Sequence, residues 1–405
     1  MRTILSDVTV IDGTGAAPHP NSTVIIDGDR IASIEDGVVA GLPGDRLLNL
    51  AGAFLIPGLW AVHTHLGAIF PDAKMLTFHE STADRTIRSG RNALDALRAG
   101  FTSLRVVGEQ DGIDEAWKRA FAMGLMVGPR VYTCGRAIIA TGGHGHDHPG
   151  VIEVDGPYEA RKAVRDQLKR GVDQIKLMIT GGVATAGEGI QESQMFPDEI
   201  EAATAAAHQK GKRVCVHAGG PEGVKAAIRG GVDCIEHGYY LDDEAIAMMA
   251  AHGTYWVPTL FVTQYDAFMQ RSGMHPYQIE KASGAKMAHR EGFQKALAAG
   301  VKIACGADSS PIDENTRVEI EQLVACGMTP MQAIVAATRT SAELCQAERD
   351  LGTIEAGKLA DLVVLDADPL ADITNVRRVR HVMSAGRFVD TATPEGQRDF
   401  WELYF

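Results

Sequence analysis

The chain has 405 residues, of which 45% are hydrophobic and 22% are charged, a composition that is typical of globular proteins and excludes a disordered chain. Its net charge of −13 and its lack of a basic run argue against nucleic-acid binding, and no apolar run reaches the roughly 20 residues of a membrane helix. The N-terminus has no apolar signal core, and the 6 cysteines show no Cys-x-x-Cys spacing, so we expect a cytoplasmic protein with reduced thiols.

The first 57 residues predict short β-strands separated by tight turns. The apolar run at residues 8–11 ends at Asp12-Gly13, and the run at residues 24–26 ends at Asp27-Gly28. Short β runs that end in Asp-Gly are typical of hairpins. Similar runs return after Gly352. We therefore predict a small β-sandwich domain that both termini build together, from residues 1–57 and 350–405.

Residues 58–349 alternate short apolar runs with helix-length segments. Eight runs have the length of strands: residues 59–65, 102–107, 130–134, 174–180, 213–217, 234–237, 255–260 and 301–308. Eight strands that alternate with helices predict a (β/α)8 barrel, also called a TIM barrel. A doubly wound open sheet is the alternative.

Residue types that bind metals collect where these runs end. They are His63, His65, His217, His237 and Asp308, with Lys176 inside the fourth run. The carboxyl ends of barrel strands form one face, and the period of two along a strand points Lys176 into the barrel when Ile175 and Leu177 face the helices. Each residue alone has a structural explanation, such as a core histidine or a helix cap. Their joint occurrence, in order and at strand ends, predicts a single site.

Several stretches resemble the amidohydrolase superfamily, and the resemblance covers almost the whole chain. Residues 56–59 followed by His63 and His65 resemble its first metal motif, and residues 235–238 and 306–308 resemble later ones. Residues 352–363 are similar to its C-terminal β signature. Residues 140–146 and 176–182 are most similar to the imidazolonepropionase-related branch, which includes dipeptidases and carboxypeptidases that act on N-acyl amino acids.

The resemblance implies a binuclear centre with two divalent metal ions, for which zinc suits the ligands best. In this centre, one metal is held by His63, His65 and Asp308, the other by His217 and His237, and an N-carboxylated Lys176 bridges both. The implied reaction is attack of a metal-bridging hydroxide on a carbonyl, with Asp308 as the proton shuttle. His144 matches a histidine that stabilises the oxyanion, although a glycine-rich surface loop is the alternative explanation.

Five further residues are candidates for substrate contact: Tyr239, Tyr240, Arg105, Gly181 and Gly182. In the branch a tyrosine after the sixth strand contacts substrate, and glycines allow backbone amides to approach a carboxylate. Arg105 suits a substrate carboxylate or a structural ion pair equally well. The histidines of His146-Asp147-His148 belong to a solvated loop or to a peripheral metal site, and we favour the loop.

These features predict a metal-dependent hydrolase of a carbon–nitrogen bond, with an N-acyl amino acid or a dipeptide as the substrate. Alternative substrates are a carbamate, a urea, an ester or lactone, and a cyclic amide. An isomerase or decarboxylase that uses the same metals is an alternative from another class, and a binding protein without catalysis is the weakest. The expected partners are a small-molecule substrate and further copies of the chain, with no nucleic acid and no membrane. The aromatic segment at residues 400–405 is expected to dock on its own β domain or at a subunit interface.

Overall fold

A computed structural model of the chain describes residues 2–70, 72, 79–393 and 396–398. The strands of these residues are β1 (Arg2–Val10), β2 (His19–Asp27), β3 (Arg30–Asp36), β4 (Arg46–Pro57), β5 (Leu59–Thr64), β6 (Phe101–Val106), β7 (Arg130–Tyr132), β8 (Ala137–Ala140), β9 (Val151–Val154), β10 (Gln174–Met178), β11 (Arg213–Ala218), β12 (Cys234–His237), β13 (Tyr255–Val257), β14 (Lys302–Ile303), β15 (Leu362–Leu365), β16 (Val379–Ser384) and β17 (Arg387–Val389). The expected docking of residues 400–405 lies outside the described residues.

Most helices connect consecutive strands of the central part of the chain. They are α1 (Thr82–Arg98), α2 (Ile113–Ala122), α3 (Gly156–Arg170), α4 (Pro197–His208), α5 (Pro221–Arg229), α6 (Asp243–His252), α7 (Leu260–Gln264), α8 (Asp266–Arg271), α9 (Pro276–Ala298), α10 (Ile312–Ala325), α11 (Pro330–Val335) and α12 (Ser341–Leu344). A π-helical turn at Ala336–Thr340 joins α11 to α12, and a 3-10 turn lies at Ile373–Arg377. Within the described ranges, no helix has the length and apolar character needed to cross a membrane.

The two ends of the chain share one seven-stranded sheet with the order β17-β16-β15-β4-β1-β2-β3. Strand β4 joins the two ends, because it pairs in parallel with β1 and antiparallel with β15. Alternate side chains of this sheet, such as Leu5, Leu55 and Val364, pack together in one hydrophobic cluster. Both ends of the chain thus contribute to one β-sheet, and its arrangement as a sandwich domain stays a prediction.

Eight parallel strand segments of the central chain form a closed ring. Within it, β5, β6 and β7 are neighbours, as are β10 to β14 in order. The backbone of Val62 in β5 donates to Cys305 O (2.9 Å), just after β14, and Asp173 N donates to Thr133 O (2.8 Å), which joins the end of β7 to β10. These hydrogen bonds fit the predicted (β/α)8 barrel and not an open doubly wound sheet.

An extra parallel pair, β8 and β9, stands beside β10 and is inserted between β7 and α3. The loop between its two strands, residues 141–150, carries the glycine-rich histidine segment. The pair places this segment over the barrel mouth. All six cysteines are free thiols, and five of them are buried in the core, as the sequence predicted.

Candidate active site

The predicted metal ligands line one cavity at the carboxyl ends of the barrel strands, with a volume of about 230 Å³. They are His63 and the adjoining His65 at the end of β5, Lys176 in β10, His217 in β11, His237 at the end of β12 and Asp308 after β14. The topology of a barrel explains why these residues converge, because its parallel strands present their carboxyl ends on one face. The structure thus brings all six residues together.

Asp308 stands at the centre of the histidine group. Its Oδ1 atom lies 3.3 Å from His63 Nε2 and 3.2 Å from His65 Nε2, and its Oδ2 atom lies 4.0 Å from His237 Nε2. Ligand atoms of His63, His65 and Asp308 all lie within 4.8 Å of one another, the spacing that a shared metal ion requires. Among the described residues this is the one group of three His, Cys, Asp or Glu ligands with that spacing.

The two histidines of β5 each have one ring nitrogen held by the protein. His63 Nδ1 donates to Glu236 Oε2 (2.7 Å), and His65 Nδ1 donates to the Gly108 carbonyl (2.8 Å). Such a hydrogen bond fixes the tautomer and the plane of the ring, and it leaves Nε2 available as a metal ligand.

The two histidines from the opposite side are also each held at one ring nitrogen, which is Nδ1 in His237 and Nε2 in His217. His237 Nδ1 lies 2.8 Å from Thr259 Oγ1, whose own proton is donated to a carbonyl, and His217 Nε2 donates to Gly181 O (3.0 Å). Burial lowers the pKa of both rings well below its usual value, and neighbouring cationic groups lower it further. Neutral imidazoles are the form that binds metals, so the nitrogen donors fit divalent ions.

Asp308 and Lys176 complete the donor set. Burial alone would raise the pKa of Asp308, but the His63 charge and the hydrogen bonds of His63 and His65 hold it well below its usual range, so the group is a carboxylate. Lys176 is 2% exposed and lines the cavity. Within the described part of the chain, no carboxylate lies within ion-pair distance of its ammonium group. A lysine that is buried without an acid partner is rare in proteins.

Local backbone geometry explains part of the motif around these ligands. His237 and Asp308 have φ angles of 70° and 54°, a left-handed conformation that is rare for residues other than glycine and that is found at functional sites. A Cβ atom at Gly306 would lie 2.3 Å from His63 N. Gly306 is therefore required for the end of β14 to approach β5, which places Asp308 beside the histidines.

His144 also lies in the cavity, so it is not a residue of a loose surface loop. Its ring stacks on His217 with a centroid distance of 4.2 Å and an interplanar angle of 25°. Its Nδ1 atom donates to Glu188, and its backbone N–H donates to Gln194 Oε1 (2.8 Å). Sequence patterns do not reveal Glu188 or Gln194, because they lie in a different loop that only the fold brings to His144.

The predicted substrate contact of Gly181 and Gly182 stays a prediction, but both amides donate to acceptors of the protein itself. The Gly181 amide donates to Glu192 O (2.9 Å), and the Gly182 amide donates to Glu188 Oε1 (2.7 Å). The physical need for glycine at position 182 is steric. A Cβ atom there would lie 2.4 Å from the His144 ring and 2.7 Å from the His217 ring.

Arg105 forms an ion pair inside the protein, which is one of the two roles that the sequence allows for it. Its side chain is 0% exposed and is not part of the cavity wall. Nη2 lies 2.6 Å from Glu236 Oε1, and Nε donates to the Val62 carbonyl. The guanidinium therefore forms its hydrogen bonds in the barrel interior and does not face the cavity.

Of the two tyrosines after β12, Tyr239 lines the cavity and Tyr240 does not. The Tyr239 ring stacks on His237 with a centroid distance of 5.2 Å and an interplanar angle of 15°. Tyr240 is partly buried and packs against a hydrophobic cluster instead. Tyr239 is thus the tyrosine that is placed to contact a substrate.

The remaining wall has an apolar part and a polar part. The apolar part includes Ile69, Phe70, Met178, Val183 and Val262, and the polar part includes Asp72, Asp147, His148 and Thr185. His146 and Asp147 are exposed, as expected for a solvated loop, but burial lowers the pKa of His148 to about 4. No metal-binding group forms around this loop within the described residues.

Comparisons with known proteins identify the family of the chain. The sequence profile described as the amidohydrolase family matches residues 54–389. The chain is 30% identical to the ochratoxinase of Aspergillus niger over 421 aligned positions, which cover 95% of this chain and 86% of that protein. It is 22% identical to the imidazolonepropionase of Hyphomonas neptunium over 401 positions, which cover 89% and 93% of the two proteins.

A crystal structure of a Xaa-Pro dipeptidase with methionine bound in the active site is similar in fold. It is 32% identical to this chain and superposes with a TM-score of 0.89, covering 96% of this chain and 100% of that one. The chain belongs to the amidohydrolase family. The sequence motifs therefore predicted both the family and the class of enzyme correctly, a hydrolase that acts on carbon–nitrogen bonds. Members of this family typically bind divalent metals, and the His63, His65 and Asp308 group fits that chemistry.

Proposed function

We propose that the chain is a binuclear, zinc-dependent amidase that hydrolyses N-acyl amino acids or dipeptides. The observation that carries the proposal is the convergence of four oriented imidazoles, one carboxylate and one buried lysine on a single cavity. In the proposed centre, one ion would be held by His63, His65 and Asp308, and the other by His217 and His237. A carboxylated Lys176 would be a ligand of both ions. Zinc suits this nitrogen-rich set, because it prefers imidazole and carboxylate ligands.

The carboxylation of Lys176 is a separate part of the proposal. A neutral amine reacts with CO2 to form a carbamate, which is anionic and has two oxygens, so one side chain serves two cations. The burial of Lys176 supports this assignment, because a lysine is rarely buried without a partner.

When bound, divalent ions acidify a water molecule and polarise the scissile carbonyl. Asp308 accepts the proton that the attacking water loses and donates it to the leaving nitrogen. His144 uses Nε2 to donate a hydrogen bond to the carbonyl oxygen, since its Nδ1 is held by Glu188. Water is thereby added across the carbon–nitrogen bond, and the products are a carboxylic acid and an amine.

Two features of the cavity support a small substrate with an apolar acyl group. Ile69, Phe70 and Val262 belong to the apolar part of the wall of this cavity. Because Arg105 and both glycine amides are engaged elsewhere, the carboxylate of the substrate would meet neutral donors, of which Tyr239 and Thr185 lie in the wall. The relatives named as an ochratoxinase and a Xaa-Pro dipeptidase also support an amide substrate with an amino-acid part.

The test combines metal analysis with a substrate panel. Protein prepared without chelators should contain about two divalent ions per chain by elemental analysis. It should release amino acids from a panel of N-acyl amino acids and dipeptides faster than it cleaves matched esters and carbamates, and the summed product mass should exceed that of the substrate by one water. A product with the mass of the substrate would show an isomerase instead, and metal-free protein that retains full turnover would overturn the proposal.

A further inference from the structure

We propose that Glu188 is a positioning residue that holds His144 in its working orientation. The inference rests on the proposed function, in which His144 stabilises the oxyanion. It concerns a second loop, residues 181–194, that no sequence motif connects with His144. Glu188 would touch neither the substrate nor a metal, so it would act only through the histidine ring.

The carboxylate of Glu188 collects three donors from around His144. One oxygen accepts from His144 Nδ1 and from the Gly182 amide (2.7 Å), and the other accepts from Gln194 Nε2 (2.9 Å). Gln194 then uses its own oxygen to accept from the His144 backbone N–H (2.8 Å). The side chain and the backbone of His144 are thus attached to the same pair of residues.

The loop that carries Glu188 is itself held in place by helix α9. Lys281 Nζ donates to Gly182 O (2.9 Å) and to Thr185 O (2.7 Å), and the Tyr277 hydroxyl donates to Ala184 O (2.8 Å). The carboxylate is therefore a fixed anchor, as a group that orients an active-site side chain must be.

Removal of the carboxylate would leave the His144 ring with contacts that limit its position but not its rotation. One face of the ring stacks on His217, and its edge packs against the backbone of Gly182, which makes no hydrogen bond to the ring. Of the described residues, Glu188 is the one that accepts from Nδ1. Without it, the ring turns away from the geometry in which Nε2 points into the cavity, and a small displacement of a catalytic group has a large effect on rate.

Three variants test the inference, with metal content and the melting temperature measured for each. Glu188→Ala should lower kcat by about 10–100-fold with little change in KM and with both metals retained. Glu188→Gln keeps an oxygen acceptor and should lower kcat by only about fivefold, which also serves if the alanine variant fails to fold. Glu192→Ala is the matched control, because it removes an exposed carboxylate from the same loop that does not touch His144.

A double-mutant cycle separates positioning from a general structural role. If Glu188 acts through His144, then Glu188→Ala should cause no further loss of kcat in a His144→Ala background. A second readout is the dissociation constant of a methylphosphonamidate analogue, whose phosphoryl oxygen mimics the oxyanion. Binding should weaken in both single variants, and in the double variant no more than in His144→Ala.

Additive losses in the cycle, or loss of metal from Glu188→Ala, would overturn the inference and leave the proposed function intact. Full kcat in His144→Ala would overturn the roles of both residues, although amide hydrolysis would stand. If the wild-type protein hydrolyses no amide, the proposed function fails by itself. The inference is then decided by a crystal structure of Glu188→Ala, in which an unmoved His144 ring would overturn it.

Discussion

Glu236 joins His63 to Arg105 through its two carboxylate oxygens. Oε2 lies 2.7 Å from His63 Nδ1, and Oε1 lies 2.6 Å from Arg105 Nη2, with the three side chains 0–2% exposed. Burial alone would raise the pKa of Glu236, but the Arg105 charge and the His63 hydrogen bond lower it below its usual value. One carboxylate therefore orients a candidate metal ligand and neutralises a buried cation.

Glu236→Gln should weaken both the orientation of His63 and the charge balance at Arg105. The amide retains one acceptor, but it leaves the Arg105 charge without a counter-ion, which costs about 3 kcal/mol in a buried pair or roughly 6 °C in Tm. Metal affinity should fall by about 10–100-fold, because His63 loses its charged partner. Circular dichroism melts and metal titration of the purified variant measure the two effects. Glu192→Gln is the control, and equal Tm and metal affinity in both variants would contradict the prediction.

Lys176 allows a test of carboxylation that does not depend on the substrate. Lys176→Ala should lose most activity and at least one metal ion, and short carboxylates or bicarbonate should restore part of both by filling the space between the ligands. Lys176→Arg should not be restored, because a guanidinium stays charged and does not form a carbamate. Metal content and turnover with and without added formate or bicarbonate are the measurements.

The control for this series is Lys295→Ala, which removes a surface ammonium that pairs with Asp243 (2.7 Å). It should keep both metals and full turnover. Full activity and both metals in Lys176→Arg would show that the bridging role is wrong. A mononuclear site on His63, His65 and Asp308 would then be the better description.

The features that sequence predicts here are local ones. The position of Lys176 between Ile175 and Leu177 follows from the period of two along a strand, and the ligands at strand ends follow from the barrel rule. A capping box with a proline also predicts the start of α11, where Thr329 accepts from Gln332 N (3.2 Å). Each of these inferences uses residues within a few positions of one another.

The features that sequence does not predict depend on contacts across the fold. Glu236 lies 173 positions from His63, and Glu188 lies 44 positions from His144. The four-residue strands β8 and β9 flank a glycine-rich segment, so their pattern is too short to distinguish them from a loop. Sequence alone does not decide whether Arg105 binds a substrate carboxylate or forms a structural ion pair, because only the closed barrel brings it to Glu236.

Glu319 on α10 provides a prediction for stability against pH. It is fully buried and accepts from Leu260 N (3.0 Å) and Phe261 N (2.6 Å), yet burial outweighs these hydrogen bonds and raises its pKa to about 8. The folded state therefore binds this proton more strongly than the unfolded state, whose glutamate has a pKa of about 4.3. Its contribution is complete at low pH and is lost as the pH rises from the unfolded to the folded pKa.

Glu319→Gln should remove this dependence, because an amide does not titrate. We expect the free energy of unfolding of the wild type to fall relative to the variant between pH 5 and 8, by on the order of 1 kcal/mol per pH unit. Urea unfolding at several pH values measures the difference. Glu348→Gln, at an exposed position, is the control and should show the wild-type slope; the same slope in Glu319→Gln would count against the assignment.

Gly182 offers a test of the stacked pair of histidines without the removal of any polar group. A Cβ atom at this position would lie 2.4 Å from His144 Cε1 and 2.7 Å from His217 Cε1, so at least one ring must move. Gly182→Ala should lower kcat by about 100-fold, since displacement of a catalytic group by about an ångström has an effect of this size. A loss of metal together with activity would show that His217 moves, and a loss of activity alone would show that His144 moves.

Gly189→Ala is the matched control in the same loop, because its Cβ would meet the nearest atom at 3.8 Å. Turnover of Gly182→Ala within about twofold of that control would show that the two rings are not packed against the backbone as described.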